Sequence, residues 1–163
     1  MSRWTAILGM VGGLVGAVAL GGGAQAALYP SGGVTAKDVA SVMLAHGYQA
    51  EITKDETGDP MVKSAVDGTK FSVAFYGCNH GPRCTALEFL VGFDLPNGMA
   101  FSRINKWNKD ERFGHAFLDD EKDPYIQLDI DTEVGFTSES LGSYVDTWAR
   151  LVPKFKHFMN ADD

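Results

Sequence analysis

The chain has 163 residues, 45 % of them hydrophobic, with 14 basic and 21 acidic side chains and a net charge of −7. That length suits one domain with a real core. An acidic chain without a basic stripe argues against a nucleic-acid partner and against docking on anionic membrane surfaces.

Residues 1–26 read as an export signal. Arg3 is the one early charge, 7–20 is an apolar glycine-rich core, and Ala24-Gln25-Ala26 matches a small-x-small cleavage site. The competing reading is a retained anchor, since no charge falls between Trp4 and Val34. Seven glycines between 9 and 23 dilute that hydrophobicity, and the expectation is cleavage after Ala26 with no stable membrane insertion afterwards. The expected location is therefore periplasmic or secreted. Residues 27–34, with Pro30, Gly32 and Gly33, form a short linker, and a single domain is expected over 35–159.

A first helix should begin at Thr35, a good N-cap, bury Val39, Val42 and Met43, and end at Gly47. His46 reads as a histidine of the last helical turn, favoured there by the helix dipole. A strand over 48–54 follows. The acid-rich DETGDP at 55–60 lacks the ligand spacing of a calcium loop and reads as a solvated turn. A second strand covers 61–65, and Asp67-Gly68 is the next turn.

The segment 71–94 is a hairpin with a cysteine at each mouth of its turn. Phe71, Val73 and Phe75 alternate with Ser72, Ala74 and Tyr76, which gives one apolar face at period two. On the return strand Leu87, Phe89 and Val91 share a face and Leu90 lies on the other, as in a central strand covered by helices. Cys78 and Cys84 are brought near each other across a turn containing Gly77, Asn79, Gly81 and Pro82, within reach of a disulfide. Export and a cysteine pair agree, because oxidising compartments are where disulfides persist.

A loop over 94–99 leads to a second helix at about 102–112, with Phe101, Ile104 and Trp107 as its apolar stripe and Asn105, Asn108 and Arg112 along the border. Those four residues, Asn105, Trp107, Asn108 and Arg112, are the candidate binding surface. Strands over 116–118 and 125–130 flank the turn DDEKD at 119–123, whose four carboxylates invite a metal but read as a wet charged turn. The last helix spans about 138–159. Leu141, Tyr144, Val145, Trp148, Val152, Phe155 and Met159 recur at helical spacing, and Pro153 should kink or divide it. The tail 160–163 should fray.

The order helix, four strands, helix, two strands, helix, with tight turns throughout, argues for an α+β fold: an antiparallel sheet covered by helices. On these residues the chain resembles the YbjN-domain proteins, described as sensory-transduction regulators and similar in fold to the small chaperones of type III secretion. The resemblance rests on Lys54 with the DETGDP turn, the strand end Phe75-Tyr76-Gly77-Cys78, Phe93-Asp94, the run Ile104-Asn105-Lys106-Trp107-Asn108, Arg112-Phe113 and Asp123-Pro124. It implies the chaperone-like fold and no agreed activity. The exported, cysteine-bearing form departs from cytosolic members.

No catalytic constellation is present in the sequence: no Gly-x-Ser-x-Gly, no His-Glu-x-x-His and no phosphate loop. Cys78, His80 and Cys84 fall short of a four-ligand zinc pattern. The expectation is a non-enzymatic module without cofactor or metal, holding a protein or peptide partner. The alternatives are a structural or stress-related envelope protein working as a homodimer and, distantly, a small metal-dependent enzyme.

Overall fold

The computed structural model describes residues 28–78 and 81–161. The expected signal at 1–26, and Asn79 and His80 in the cysteine loop, lie outside them. The order is α1 (Ala36–Ala45), β1 (Glu51–Lys54), β2 (Pro60–Val66), β3 (Thr69–Tyr76), β4 (Ala86–Gly92), α2 (Phe101–Asp110), β5 (His115–Leu118), β6 (Pro124–Asp131) and α3 (Ser138–Asn160). This is the expected α+β succession.

The strands form one six-stranded sheet in the order β1-β2-β3-β4-β6-β5, antiparallel at every pairing. Local chemistry explains the hairpins. Val66 faces Thr69 across the two-residue turn Asp67-Gly68, and both turn residues have positive φ, as a turn matched to the strand twist requires. Asp55 closes the β1–β2 turn by accepting from the backbone of Thr57 and Asp59 and from the Thr57 hydroxyl. Those bonds hold its carboxyl below the ordinary range, the Thr57 hydroxyl contributing most.

All three helices lie on one face of the sheet. That face carries Val62, Val66, Phe71, Val73, Phe75, Leu87, Phe89, Val91, Ile126, Leu128 and Ile130, all buried. Trp148 of α3 sets its ring against Phe71 and Phe89 at 5.8 and 5.7 Å between centroids. The stripe expected on α3 is largely the observed one: Leu141, Val145, Trp148, Val152 and Phe155 are buried, while Tyr144 and Met159 are half-buried. Pro153 does not divide α3. The lost hydrogen bond is offset by the burial of Val152 and Phe155 on either side of it. Asn160, expected in the frayed tail, is the last residue of that helix.

Three further readings change. β4 is central, but helices cover only one of its faces, and Leu90 sits half-buried on the other. Phe101, expected in the α2 stripe, opens the helix at 70 % exposure, so the stripe reduces to Ile104 and Trp107. The linker is not loose. Leu28 bridges Thr137, Tyr29 donates to the Phe136 carbonyl, and Val34 and Cys84 exchange both backbone hydrogen bonds. Gly33 is required there: its φ is +93°, and a Cβ would stand 1.8 Å from the Cys84 carbonyl oxygen.

α1 starts as expected, with a capping box between Thr35 and Asp38. His46 caps its end and sets Nδ1 2.9 Å from the Asp146 carboxylate, which ties α1 to α3. No helix among the described residues is long and apolar enough to cross a membrane.

Candidate functional site

Of the four candidate binding residues on or beside α2, two are tied into the structure. Trp107 is 2 % exposed, packed edge-on against Phe155 at 4.8 Å and against Phe158 at 5.3 Å. It holds α2 onto the end of α3. Asn108 turns its amide toward β5: its Nδ2 donates to the Ala116 carbonyl at 3.0 Å and its Oδ1 accepts from the Ala116 N–H at 2.8 Å. Asn105 and Arg112 remain exposed.

The Asn108 clasp has a consequence for the sheet. β5 is one of the two edge strands, and edge strands present unpaired backbone groups to any passing chain. Asn108 mimics a neighbouring strand at Ala116 and occupies the outward groups of that residue.

The other edge is different. Asp55 donates its N–H to the Asp59 carbonyl, so in the alternating antiparallel pattern Thr53 and Glu51 exchange hydrogen bonds with β2 while Ile52 and Lys54 turn theirs outward. Pro60, which has no N–H, lies opposite Lys54 as that pattern demands. No described residue bonds the outward groups of Ile52 and Lys54. The flank of this edge is apolar: Ile52, opposite buried Val62, lies on the helix side at 48 % exposure, and Leu44, in the last turn of the neighbouring α1, is 60 % exposed. β1 thus combines a free hydrogen-bonding edge with uncovered apolar side chains. A sequence reading finds neither, since which groups of a strand point outward depends on its register and on which neighbour it lacks.

The cysteine loop is closed. Cys78 and Cys84 are joined at an S–S distance of 2.09 Å, with their Cα atoms 4.1 Å apart. Cys84 is fully buried, its carbonyl accepting from Val34 N–H and the Thr132 hydroxyl, while Arg83 donates to the Gly33 carbonyl. The loop therefore anchors the entry segment 28–34 to the sheet. In the DDEKD turn, Asp119 accepts from the backbone of Glu121 and Asp123, and Asp123 accepts from Leu95 N–H, so two of its four carboxylates hold the turn itself. Among the described residues no group of three or more histidine, cysteine or acidic side chains is placed to hold a metal ion.

A family model described as "putative bacterial sensory transduction regulator", YbjN, matches residues 35–160. The chain belongs to the YbjN family. No curated protein matches the chain. Among solved structures this YbjN chain is similar to the Yersinia pestis type III secretion chaperone SycH, crystallised in complex with a stable fragment of YscM2, at 16 % identity and a TM-score of 0.48, over 73 % of this chain and 94 % of that one. The two cysteines, the Asn108 clasp and the free β1 edge all fall inside the YbjN match.

Proposed function

We propose that this YbjN-family protein is a non-enzymatic binding module that takes up an extended segment of a protein or peptide partner along β1. The observation that supports it is the difference between the two sheet edges: on β5 Asn108 occupies the outward groups of Ala116, whereas on β1 no described residue occupies those of Ile52 and Lys54, beside exposed Ile52 and Leu44. An added strand gains main-chain hydrogen bonds, and its alternate side chains set specificity. On the helix side those side chains meet Ile52 and Leu44 and are apolar. On the other side they lie beside Glu51 and Thr53. A regulatory or chaperone-like role follows from holding such a segment. The work takes place in an oxidising, exported compartment, a reading supported by the Cys78–Cys84 bridge and the leader-like character of 1–26.

The test uses a displayed library of extended peptides and hydrogen exchange. Selected peptides alternate apolar and polar residues and slow exchange at the Ile52 and Lys54 amides. Lys54→Pro removes one outward N–H, a change an edge strand tolerates, and abolishes binding while the fold persists. Peptides that protect other amides, or bind Lys54→Pro equally well, refute the reading.

A further inference from the structure

No helix covers the second face of the sheet, and one end of that face is hollow. The registers set Ala65 of β2 beside Lys70 of β3, with Lys63 and Leu90 on either side of Ser72. Continued by two residues, the β3–β4 register puts Gly92 on the other side of Lys70. Ala65 and Ser72 are short and Gly92 has no side chain, whereas Lys63, Lys70, Leu90 and Tyr125 rise around them. Together with Glu51 these residues line a groove of about 790 Å³, a volume within the roughly 300–1,000 Å³ of small-ligand sites.

One wall of the groove is aromatic and held in place. Tyr125 of β6 stands opposite Gly92, and a Cβ on Gly92 would come 2.3 Å from its ring, so the ring leans over the glycine. Phe117, opposite Tyr125 on β5, stacks on it at 5.2 Å between centroids and 12° between planes. The hydroxyls of Tyr125 and Ser72 bond no described residue.

Charge decides what the groove takes. Glu51 of β1 stands directly opposite Lys63 of β2, so those two charges offset each other. Lys70 is exposed, its cross-strand neighbours Ala65 and Gly92 are uncharged, and its ammonium makes no ion pair or hydrogen bond among the described residues. With Glu51, Lys63 and Lys70 as its charged residues, the groove keeps one net positive charge in a chain whose net charge is −7. Further along the same face Glu88 and Asp129 stand opposite each other across β4 and β6, and that pair lies about 14 Å of strand beyond Gly92. An anion is drawn to the Lys70 end and repelled from the other. A monoanion matches the charge left over, while a dianion also meets Glu51.

We infer that this groove is a binding site for a small planar aromatic monocarboxylate. The ring packs against Leu90 and Tyr125, where an aromatic pair adds to apolar contact. The carboxylate accepts from the Lys70 ammonium and the Ser72 hydroxyl, which lie two residues apart on one strand, and a hydrogen bond between charged groups is of the strong kind. Strand addition at β1 uses the outward groups and the helix-side flank of that strand, whereas this site lies on the opposite face of the sheet.

Titration of the purified chain with cinnamate, followed through backbone amide shifts, tests the inference. Saturable binding is expected with a dissociation constant of about 1 mM, as suits a ligand of that size in an open groove, and the shifts gather at Lys70, Ser72, Leu90, Gly92 and Tyr125. Neutral cinnamamide and the dianion carboxycinnamate bind at least about tenfold more weakly, and Lys70→Gln, an exposed change, weakens cinnamate by about tenfold. Glu51→Gln removes the repelling carboxylate and tightens carboxycinnamate. Gly92→Ala leaves Lys70 in place but displaces the Tyr125 ring, and it too weakens cinnamate. No saturation by about 20 mM, cinnamamide binding as well as cinnamate, shifts centred elsewhere, or Lys70→Gln binding like wild type overturns the inference. Lys54→Pro leaves cinnamate binding unchanged, so failure of the strand-addition reading and failure of this one are distinguishable.

Discussion

Replacing Trp107 by alanine separates a core role from a binding role for the most conspicuous residue of α2. The side chain is 2 % exposed and lies edge-on to Phe155 with its ring 5.3 Å from that of Phe158. Phe158 also carries the Arg103 guanidinium at 5.1 Å above its face. Truncation empties the junction of α2 and α3, and buried tryptophan-to-alanine changes cost about 3–5 kcal/mol. Domains of this size have about 5–15 kcal/mol in total. With a urea slope of about 2 kcal/mol per molar, the unfolding midpoint should fall by about 2 M. Trp107→Phe should fall much less: it keeps an aromatic ring in the site and removes an indole N–H that has no acceptor among the described residues. Equilibrium urea unfolding followed by circular dichroism reads both variants. A midpoint shift under about 0.5 M for Trp107→Ala, together with loss of a partner, would refute the packing argument and return Trp107 to the surface.

Three other outcomes follow from the same geometry. Asn108→Ala strips Ala116 of both its bonds; it should cost about 1–2 kcal/mol and, by opening the β5 edge, give concentration-dependent aggregation visible in light scattering. Glu88→Gln addresses a carboxyl whose pKa is raised first by burial and then by Asp129. A raised carboxyl favours the folded state while protonated and loses that contribution as pH rises through the folded value. The glutamine variant should therefore melt higher than wild type near pH 7 by about 0.5 kcal/mol, screened by solvent at this half-exposed site, and match wild type near pH 3; an advantage that persists in acid would contradict the assignment. Removing both Cys78 and Cys84 as alanines should cost about 2 kcal/mol on chain-entropy grounds, and the amides of Val34 and Cys84, which bond each other, should lose exchange protection first.

Much of this molecule was legible along the chain because the deciding interactions are short-ranged. The capping box at Thr35 and Asp38, the Asp67-Gly68 turn, the alternation through β3 and the helical stripe of α3 each depend on residues a few positions apart, and the observed elements follow them closely. The disulfide belongs to the same class, because its two cysteines flank one hairpin turn.

What the tertiary structure alone decided concerns neighbours far apart in sequence. The pattern of α2 marks Trp107 as amphipathic but does not say whether the apolar side meets a partner or the protein's own α3; Phe155, forty-eight residues on, decides it. Asn108 looks like a free polar border until β5 comes alongside, and its amide then occupies the outward groups of Ala116 on that edge strand. That β6 inserts between β4 and β5, and so sets Asp129 against Glu88, follows from strand order rather than from any local motif. Turns and caps are written in the residues that make them, whereas an edge, an open face or a burial exists only once distant strands and helices have found their places, because each is defined by which neighbour is present and which is missing.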